Sequence, residues 1–572
     1  MTLSAVTSIT VNCPITASGV VTGLVLNAPL VDLNQPISLP LGGTLSGTAT
    51  VVNVGSSGTI QNGIDAVAVG GTVNVATATY VEEILITKNL TLNGNGIGNT
   101  VIVCPTTPTP LANSFIYLGN GATYHPFVMA QGPTNVVIQN LTVDGNSQFT
   151  NFLSFRFLGI GFHNAGGTIQ NVHVTNVEDS FPGGPTQHGE AIFISADNGM
   201  SYVITVQNNT IDRFQKTGIN IRGATLTANV LNNTVTGETP PSNATANGIQ
   251  SRDGAQSLIQ GNTVTNLLAP TSSAESVGIF TLGTGSPTTI TQNIVDGNNL
   301  GIFCQNSLGN LSISNNTVND NTDTGIVVID TAGTTTLSSN TMTNNVSTNM
   351  FLQSTANQPF NLSNNQFIGS LIGLMLQGSG ATGPVVTMSH DAFVGSQSFY
   401  IVESMAPNDI WPSTQTVSFD GLISGFNMTF AQFQVIQGKL IGQQSSPTLG
   451  LILVFLTPTV VNPPAAFFGR VKKNEFLNRN EYELTSSWIA STSPNIVFYR
   501  IYNHNKLIAQ IPSTNPLEYH KAFSHKPVIA ITAVNSNNVE SQALSLNQAF
   551  PGPNIVQGLL LLPLITFNTQ PD

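Results

Sequence analysis

Charged side chains are scarce in this sequence. Lysine, arginine, aspartate and glutamate together make up 7% of the 572 residues, against about a quarter in an ordinary soluble domain. Disordered chains combine high charge with low hydrophobicity, but here 40% of the residues are hydrophobic. The sequence therefore predicts a folded chain whose solvent-facing surface consists mainly of hydroxyl and amide side chains.

Cysteine and long apolar runs are also rare. The three cysteines, Cys13, Cys104 and Cys304, allow at most one pair, which excludes a fold stapled by several disulfides. The apolar segments 449–461 and 555–567 are shorter than the ~20 residues that span a bilayer, so we interpret them as buried strands. The first residues show neither the basic nor the apolar region of a secretory signal.

The few charges are unevenly distributed along the chain. The net charge is −12, which argues against nucleic acid as a partner. Residues 1–465 hold 7 Lys/Arg and 21 Asp/Glu, whereas residues 466–548 hold 8 and 5. This change of balance predicts a domain boundary near residue 465.

A short repeat with the pattern Asn-Asn-Thr runs through the centre of the sequence. Its members recur every 23 to 31 residues, each followed by a short segment of alternating apolar residues. A repeat of this length cannot bury its own apolar face and must stack on its neighbours. Stacked strands would bring the second asparagines into an inward ladder about 4.8 Å apart. The predicted ladder is Asn209, Asn233, Asn262, Asn293, Asn316, Asn340 and Asn365.

The repeat resembles that of the right-handed parallel β-helix proteins of the pectin-lyase-like class. Residues 58–103 are similar to the usual first coils of that class, and Ile60, Ile64 and Val67 could form an amphipathic cap at the end of the solenoid. The resemblance covers residues 58–440. It implies an all-β parallel solenoid, and it leaves the activity open because this fold carries lyases, hydrolases, epimerases, tail spikes and adhesins.

The two ends of the sequence depart from the repeat. Residues 1–57 are expected to form an N-terminal β-rich cap or a small β module, and residues 441–465 a linker or terminal strands. Residues 466–548 resemble a fibronectin type III β-sandwich, with Trp488 at the position of that family's early core tryptophan. Residues 549–572 are expected to be a C-terminal tail.

The few charges on the repeat predict a ligand-binding face. Aligning three successive coils puts Ser195, Arg222 and Arg252 in one outward column, and Asn220 and Gln250 in the column beside it. Stacked arginines suit the carboxylate or sulfate groups of an acidic polysaccharide, although a solvated ladder of local ion pairs is the alternative. The predicted ligand-binding residues are His188, Asn220, Arg222, Gln250 and Arg252.

A complete catalytic set is not recognisable. The candidate catalytic residues are Glu190, Arg252 and Asp253, and of these only Glu190 and Asp253 could supply the two carboxylates that glycoside hydrolysis needs. The resemblance implies an aspartate-bound Ca²⁺ in lyases and paired aspartates in hydrolases, and the sequence departs from both patterns. We therefore predict no cofactor and no metal, with Ca²⁺ at the Asp-Gly-Asn turns 143–146 and 295–298 as a minor alternative.

The sequence therefore favours an extracellular or surface-exposed β-helix protein with a recognition or structural role. Its partner would be a glycan or a surface protein, and the low charge is compatible with homo-oligomers or lateral self-assembly. The alternative is a polysaccharide lyase or glycoside hydrolase that acts on an acidic glycan in a groove at Arg222 and Arg252.

Overall fold

A computed structural model describes the chain in two compact units, one within residues 1–455 and one within residues 456–568. No described helix is long and apolar enough to cross a membrane. The described residues are 1–17, 22–106, 113–132, 134–147, 156–178, 188–238, 245–269, 275–356, 358–378, 384–389, 391–394, 399–405, 422–424, 461–476, 479–493, 496–504, 506–535 and 540–546. The interpretations given above for 449–460, 555–567, most of the linker and the C-terminal tail lie outside these residues.

The first unit contains nearly all of the strands. It begins with β1 (Thr2–Ser4), β2 (Ser8–Val11), β3 (Ile15–Thr16), β4 (Gly23–Asn27), β5 (Leu30–Leu33), β6 (Ile37–Ser38), β7 (Thr44–Gly47), β8 (Ala49–Val54) and helix α1 (Ile60–Ala66). The chain continues with β9 (Val67–Val75), β10 (Ala78–Val81), β11 (Ile84–Ile86), β12 (Leu90–Asn93), β13 (Thr100–Val103), β14 (Phe115–Ile116), β15 (Thr123–Gln131), β16 (Val136–Asp144), β17 (Arg156–His163) and β18 (Gly167–Thr175).

The repeated coils follow. Their strands are β19 (Glu190–Ser195), β20 (Tyr202–Gln207), β21 (Thr210–Ile211), β22 (Thr217–Arg222), β23 (Leu226–Leu231), β24 (Thr234–Thr236), β25 (Asn247–Arg252), β26 (Gln256–Gln260), β27 (Thr263–Thr265), β28 (Val277–Leu282), β29 (Thr288–Thr291), β30 (Ile294–Asp296), β31 (Leu300–Gln305), β32 (Leu311–Ser314), β33 (Thr317–Asn319), β34 (Thr324–Ile329), β35 (Thr335–Ser338), β36 (Thr341–Thr343), β37 (Thr348–Ser354), β38 (Pro359–Ser363), β39 (Gln366–Ile368), β40 (Ile372–Gly378), β41 (Val385–Ser389), β42 (Ala392–Val394), β43 (Phe399–Met405) and β44 (Leu422–Ser424).

Each repeated coil contains three strands that stack in parallel on the equivalent strands of the next coil. The first strand of each coil belongs to one sheet, which we call sheet A. Its members are β19, β22, β25, β28, β31, β34, β37, β40 and β43, together with β11, β14, β15 and β17. The second and third strands form a longer sheet, which we call sheet B. Short β-branched segments favour strands, and the register brings Ile219, Ile249 and Ile279 into a fully buried inward row. The predicted all-β parallel solenoid is confirmed.

Residues 1–57 belong to this same stack. Strands β2, β5 and β8 pair in parallel, and β8 pairs in parallel with β9. Strands β1, β4 and β7 form a second parallel set beside them. We expected a cap or a separate β module here, but the continuous pairing makes these residues the first coils of the solenoid.

Helix α1 lies inside the stack and not at its end. It contacts β7 on one side and β11 on the other, and Ile60 and Ile64 are buried. The Glu82 carboxylate accepts hydrogen bonds from the backbone N–H groups of Ile60 and Gln61, at 2.8 and 3.1 Å, and so satisfies the first turn. The predicted end cap is therefore wrong in position, because coils continue on both sides of the helix.

The asparagine ladder lies at the bend between the second and third strands. The side chain of Asn316 donates to the Asn340 side chain at 2.9 Å and to the Ile290 carbonyl at 3.0 Å. Its own Oδ1 accepts from the backbone and the side chain of Asn293, at 3.0 and 2.9 Å. The same linkage joins all seven predicted asparagines and passes from Asn365 to Asp391. A second ladder, which the sequence analysis missed, joins Asn298, Asn321 and Asn345.

The second unit consists of two antiparallel sheets around a small core. Its strands are β45 (Pro464–Phe476), β46 (Arg479–Ser491), β47 (Ile496–Asn503), β48 (Lys506–Pro512), β49 (Glu518–Phe523), β50 (Ile529–Asn535) and β51 (Leu544–Ser545). One sheet has the order β45-β46-β49 and the other β48-β47-β50-β51. Trp488, Tyr499 and Ile531 lie in the shared core. Antiparallel sheets after the solenoid are thus as predicted, and the fibronectin type III identity stays a prediction.

Candidate functional site

Most of the solenoid's basic residues lie within four coils. Residues 1–465 contain seven lysines and arginines, and five of them are Arg156, Arg213, Lys216, Arg222 and Arg252. Burying a charged side chain is costly unless it is paired, so a cluster of charges on a charge-poor fold calls for a specific reason. We call the coils from 156 to 253 the charged region.

The predicted columns exist on the outer face of sheet A. Ser195, Arg222 and Arg252 are register partners in successive strands, and Asn220 is the register partner of Gln250. Asp253 follows Arg252 directly and has a left-handed φ of 58°, a conformation that aspartate tolerates better than most residues.

Asp253 joins the two arginines. Its Oδ2 is 3.3 Å from Nε of Arg222, and its Oδ1 is 3.2 Å from Nε of Arg252. Arg222 is 0% exposed, and its guanidinium also donates to the Tyr124 hydroxyl at 2.9 Å and lies 5.4 Å from the centre of the Tyr117 ring. The carboxylate and the rings compensate the buried charge, so Arg222 is not presented to an anionic ligand.

Glu190 has different partners from Asp253. Its carboxylate accepts a hydrogen bond from the Asn220 side chain at 2.7 Å and lies 4.0 Å from the Arg156 guanidinium. Glu190 is only 1% exposed. His188, two residues earlier, is partly exposed. The structure therefore holds the two predicted carboxylates in separate ion pairs.

Aromatic residues from an earlier part of the chain cover this face. In residues 113–124, which we call the cover segment, β14 pairs antiparallel with the start of β15. The Phe115 ring stacks on His163 at 4.1 Å between centroids, and the Tyr124 ring stacks on Phe193 at 4.3 Å. The Tyr117 hydroxyl donates to Asp253 at 3.3 Å, and burial followed by the Asp253 charge raises the pKa of Tyr117.

The cover segment leaves most of the predicted ligand-binding residues on this face inaccessible to a ligand. Asn220 and Gln250 are buried like Arg222, whereas the side chains of Arg252 and Asp253 keep 14% and 31% exposure. The open groove expected at Arg222 is therefore closed by protein. The loop 180–187, which could also have covered it, lies outside the described residues.

A second group of charges lies at the corner that leads into sheet A. Glu178 accepts hydrogen bonds from Ser147 at 3.0 Å and from the Arg213 guanidinium at 2.7 Å. Glu238 hydrogen-bonds to Glu178, and burial together with that neighbour raises the pKa of Glu238 to about 8. The hydrogen bonds that Glu178 accepts outweigh its burial and lower its own pKa.

A similar pair lies at the same corner in later coils. Burial, followed by a hydrogen bond to Asp323, raises the pKa of Glu275 to about 8. His173 and Asp212, nearer the first pair, are 2.9 Å apart, and the hydrogen bond raises the pKa of His173. Sequence reasoning missed these acids because they come from loops of unequal length. Within the described residues, no group of three or more His, Cys, Asp and Glu side chains is arranged to hold a metal ion.

The outer face of sheet B carries a long polar column that the sequence analysis described only as composition. Its members are half-buried or exposed, and Leu231 is its only apolar residue. The column is Thr10, Asp32, Asn53, Asn74, Asn93, Gln139, Gln170, Gln207, Leu231, Gln260, Thr291, Ser314, Ser338 and Ser363. Side-chain hydrogen bonds of 2.6 to 3.1 Å link its members from Asp32 to Gln207.

Solved structures and one family model resemble this chain. No curated protein matches the sequence. Among solved structures, the A-module of the mannuronan C-5 epimerase AlgE6 from Azotobacter vinelandii is 16% identical, with a TM-score of 0.36, over 62% of this chain and 91% of that one. The enzymatically active domain of tailspike protein 2 of bacteriophage CBA120 is 12% identical, with a TM-score of 0.36, over 89% of this chain and 67% of that one. The exopolygalacturonase of Thermotoga maritima is 11% identical, with a TM-score of 0.33, over 61% and 85%.

One family model matches the middle of the chain. The model described as right handed beta helix region matches residues 158–367, which include the charged region from residue 158 onward and the coils that carry the asparagine ladder. The chain therefore contains a right-handed β-helix region within its parallel solenoid.

Proposed function

We propose that this protein is a surface-exposed β-helix that binds a neutral polysaccharide along the outer face of sheet B. The polar column from Thr10 to Ser363 carries the proposal. It offers hydroxyl and amide groups at the inter-strand spacing of about 4.8 Å from β2 to β38. A linear glycan presents hydroxyl groups at regular intervals, so such a column can make many equivalent contacts.

The amides of this column keep hydrogen-bonding capacity for a ligand. Gln170 donates one N–H to Gln139 and accepts one from Gln207. A primary amide has two N–H donors and two acceptor lone pairs, so Gln170 keeps one of each for a ligand. The ladder bonds also hold the amide planes in place, which lowers the entropy that binding must overcome.

The charge pattern favours a neutral glycan over an acidic one. Arg222 and Arg252 share Asp253, and Arg213 binds Glu178. The arginines that predicted an acidic ligand are therefore already paired with carboxylates of the protein, and Asp32 is the only charged member of the polar column.

Affinity electrophoresis of the full chain in gels that contain neutral or acidic polysaccharides tests the proposal. We expect retardation by a neutral polymer. In a variant with Gln139→Leu, Gln170→Leu and Gln207→Leu, the affinity should fall about tenfold or more, from the loss of several hydrogen bonds. The matched control carries Gln305→Leu and Gln353→Leu on sheet A and should bind normally. Equal loss in the control, or no retardation by any neutral polymer, would refute the proposal.

A polysaccharide lyase is the second candidate, and the Glu178–Glu238 pair favours it. A carboxyl group with a pKa near 8 beside an ionised partner can hold or remove a proton at neutral pH. The two carboxyls are hydrogen-bonded and hence closer than the ~5 Å or more that glycoside hydrolysis requires. The pair therefore suits elimination, in which one group removes a proton, better than hydrolysis.

Turnover assays separate the two candidates. A lyase would produce unsaturated uronate, detected by its ultraviolet absorbance, and Glu238→Gln would abolish the product. Glu275→Gln, which changes the other acid with a pKa raised to about 8, is the matched control and should stay active. Glycan binding without any new absorbance or reducing ends would leave recognition as the function.

A further inference from the structure

The second unit is the basic part of an acidic protein. Residues 466–548 hold 8 of the chain's 15 lysines and arginines, against 5 acidic residues. Four of these cations, Lys472, Lys473, Lys521 and Lys526, lie on β45, on β49 and in the loop after β49. Such a concentration on a small sandwich suggests a function distinct from that of the uncharged polar column.

A pocket of ≈ 430 Å³ lies on this part of the second unit. Strands β46 and β49 line it with Glu481, Tyr482 and Phe523, and the following loop adds His525 and Lys526. The volume is within the range of small-molecule sites, about 300–1,000 Å³. Tyr482 and Phe523 are direct register partners on adjacent antiparallel strands, so their rings lie on the same face and form one aromatic wall.

Lysines surround the aromatic wall. Lys473 is the register partner of Tyr482 on the other side of β46, and Nζ of Lys521 lies 5.8 Å from the centre of the Phe523 ring. Lys473, Lys521 and Lys526 are exposed, and Glu481 is the acidic residue of the lining. Lys526 lines the pocket with Glu481, and Lys473 and Lys521 lie beside it on the same face of the sheet as Tyr482 and Phe523, so these cations favour a negatively charged ligand.

We propose that this pocket binds an acidic sugar, such as a uronate residue of a glycan. The apolar C–H face of a sugar ring would pack on Tyr482 and Phe523, and its carboxylate would receive hydrogen bonds from Lys521 and Lys526. Charge-assisted hydrogen bonds are roughly twice as strong as neutral ones, and aromatic walls with a few polar groups are typical of small-ligand sites. The second unit would thus recognise a ligand that differs in charge from the ligand of the solenoid.

Isothermal titration of the full chain with trigalacturonate tests this inference, and the trimethyl ester of the same trisaccharide is the neutral comparison. We expect the charged trimer to bind at least about tenfold more tightly than the ester. Lys521→Gln with Lys526→Gln should weaken trigalacturonate binding about tenfold. The matched control, Lys472→Gln with Lys506→Gln, removes the same charge from the opposite face of β45 and from β48, and should bind normally.

Three results of the titrations would contradict an acidic-sugar site in this pocket. Equal binding of the acid and its ester, equal loss in the control variant, or no binding of trigalacturonate would each overturn the inference. Tyr482→Ala should weaken binding of both ligands, whereas the lysine changes should affect only the charged one. Because these variants leave sheet B unchanged, failure here is distinguishable from failure of the neutral polysaccharide proposal.

Discussion

At the scale of single residues, the buried asparagines show how an amide can replace an apolar side chain in a core. Asn316 uses both of its N–H groups and accepts two hydrogen bonds at its oxygen. A buried polar group costs free energy only when its partners are missing. The ladder therefore lets the solenoid turn a tight corner with no unpaired amide at this position.

Replacing Asn316 by alanine should destabilise the solenoid. The substitution removes the acceptor of two buried Asn293 N–H groups and the donor to Ile290. Each unsatisfied buried group costs about 1–3 kcal/mol, so we expect a loss of roughly 2–5 kcal/mol in the free energy of unfolding. Urea unfolding followed by circular dichroism measures it. Asn361→Ala, an exposed asparagine on β38, is the control, and an equal effect there would contradict the ladder's role.

Residues that recur at equivalent positions of successive coils could be placed from the sequence. Asn316 could be placed because its equivalents recur in register, and the column of Ser195, Arg222 and Arg252 followed from aligning three coils. The enclosure of Arg222 could not be predicted. Tyr124 is 98 residues away from Arg222, and Tyr117 is 136 residues away from Asp253, so no period connects the cover segment to the face that it covers.

At the scale of elements, α1 shows how a helix can take the place of a strand within a sheet. The Gln61 side chain donates to the Leu85 carbonyl at 3.2 Å and accepts from the Leu85 N–H at 2.9 Å. These two bonds reproduce the pattern that a neighbouring strand would offer to β11. The end-cap expectation failed because amphipathicity reports a buried face and not the position of the element along the stack.

Gln61→Ala should therefore weaken the junction between α1 and β11. The change leaves the Leu85 backbone without these two hydrogen bonds, and we expect a loss of about 1–3 kcal/mol in the free energy of unfolding. Hydrogen exchange of the Leu85 amide, read by mass spectrometry of the peptide around it, should accelerate. Gln366→Ala on β39, where the glutamine is exposed, is the control. Unchanged exchange at Leu85 would contradict the role of Gln61.

At the scale of the whole molecule, few side chains carry charge, so a few buried acids determine much of how the stability of the fold depends on pH. The pKa values of Glu238 and Glu275 are raised to about 8 from 4.5, so the folded state binds their protons more tightly than the unfolded state. Their contribution to stability is complete below pH 4.5 and is lost as the pH rises towards 8. The lowered pKa of Glu178 acts in the opposite sense.

The unfolding temperature should therefore fall between about pH 5 and pH 8. In the double variant Glu238→Gln and Glu275→Gln, the fall should be smaller because neither amide titrates. Differential scanning calorimetry across this range measures both profiles. Glu518→Gln, an exposed change in the second unit, should leave the profile unchanged. A variant profile as steep as that of the original protein would exclude these two acids as its cause.

The asparagine ladder also gives the solenoid a direction and a unit of length. Every link in it donates from one coil to the next in the same sense, from Asn209 through Asn365 to the carboxylate of Asp391. Since each rung meets its neighbours in the same way, a whole coil could be duplicated or excised and the flanking rungs would still find matching partners. Insertion of part of a coil within the strands would shift the register, so that the side chains of each column would no longer meet their partners in the next coil. Insertions and deletions within the strands and ladder bends are therefore expected to be tolerated only in whole turns, whereas the loops between strands already differ in length from coil to coil.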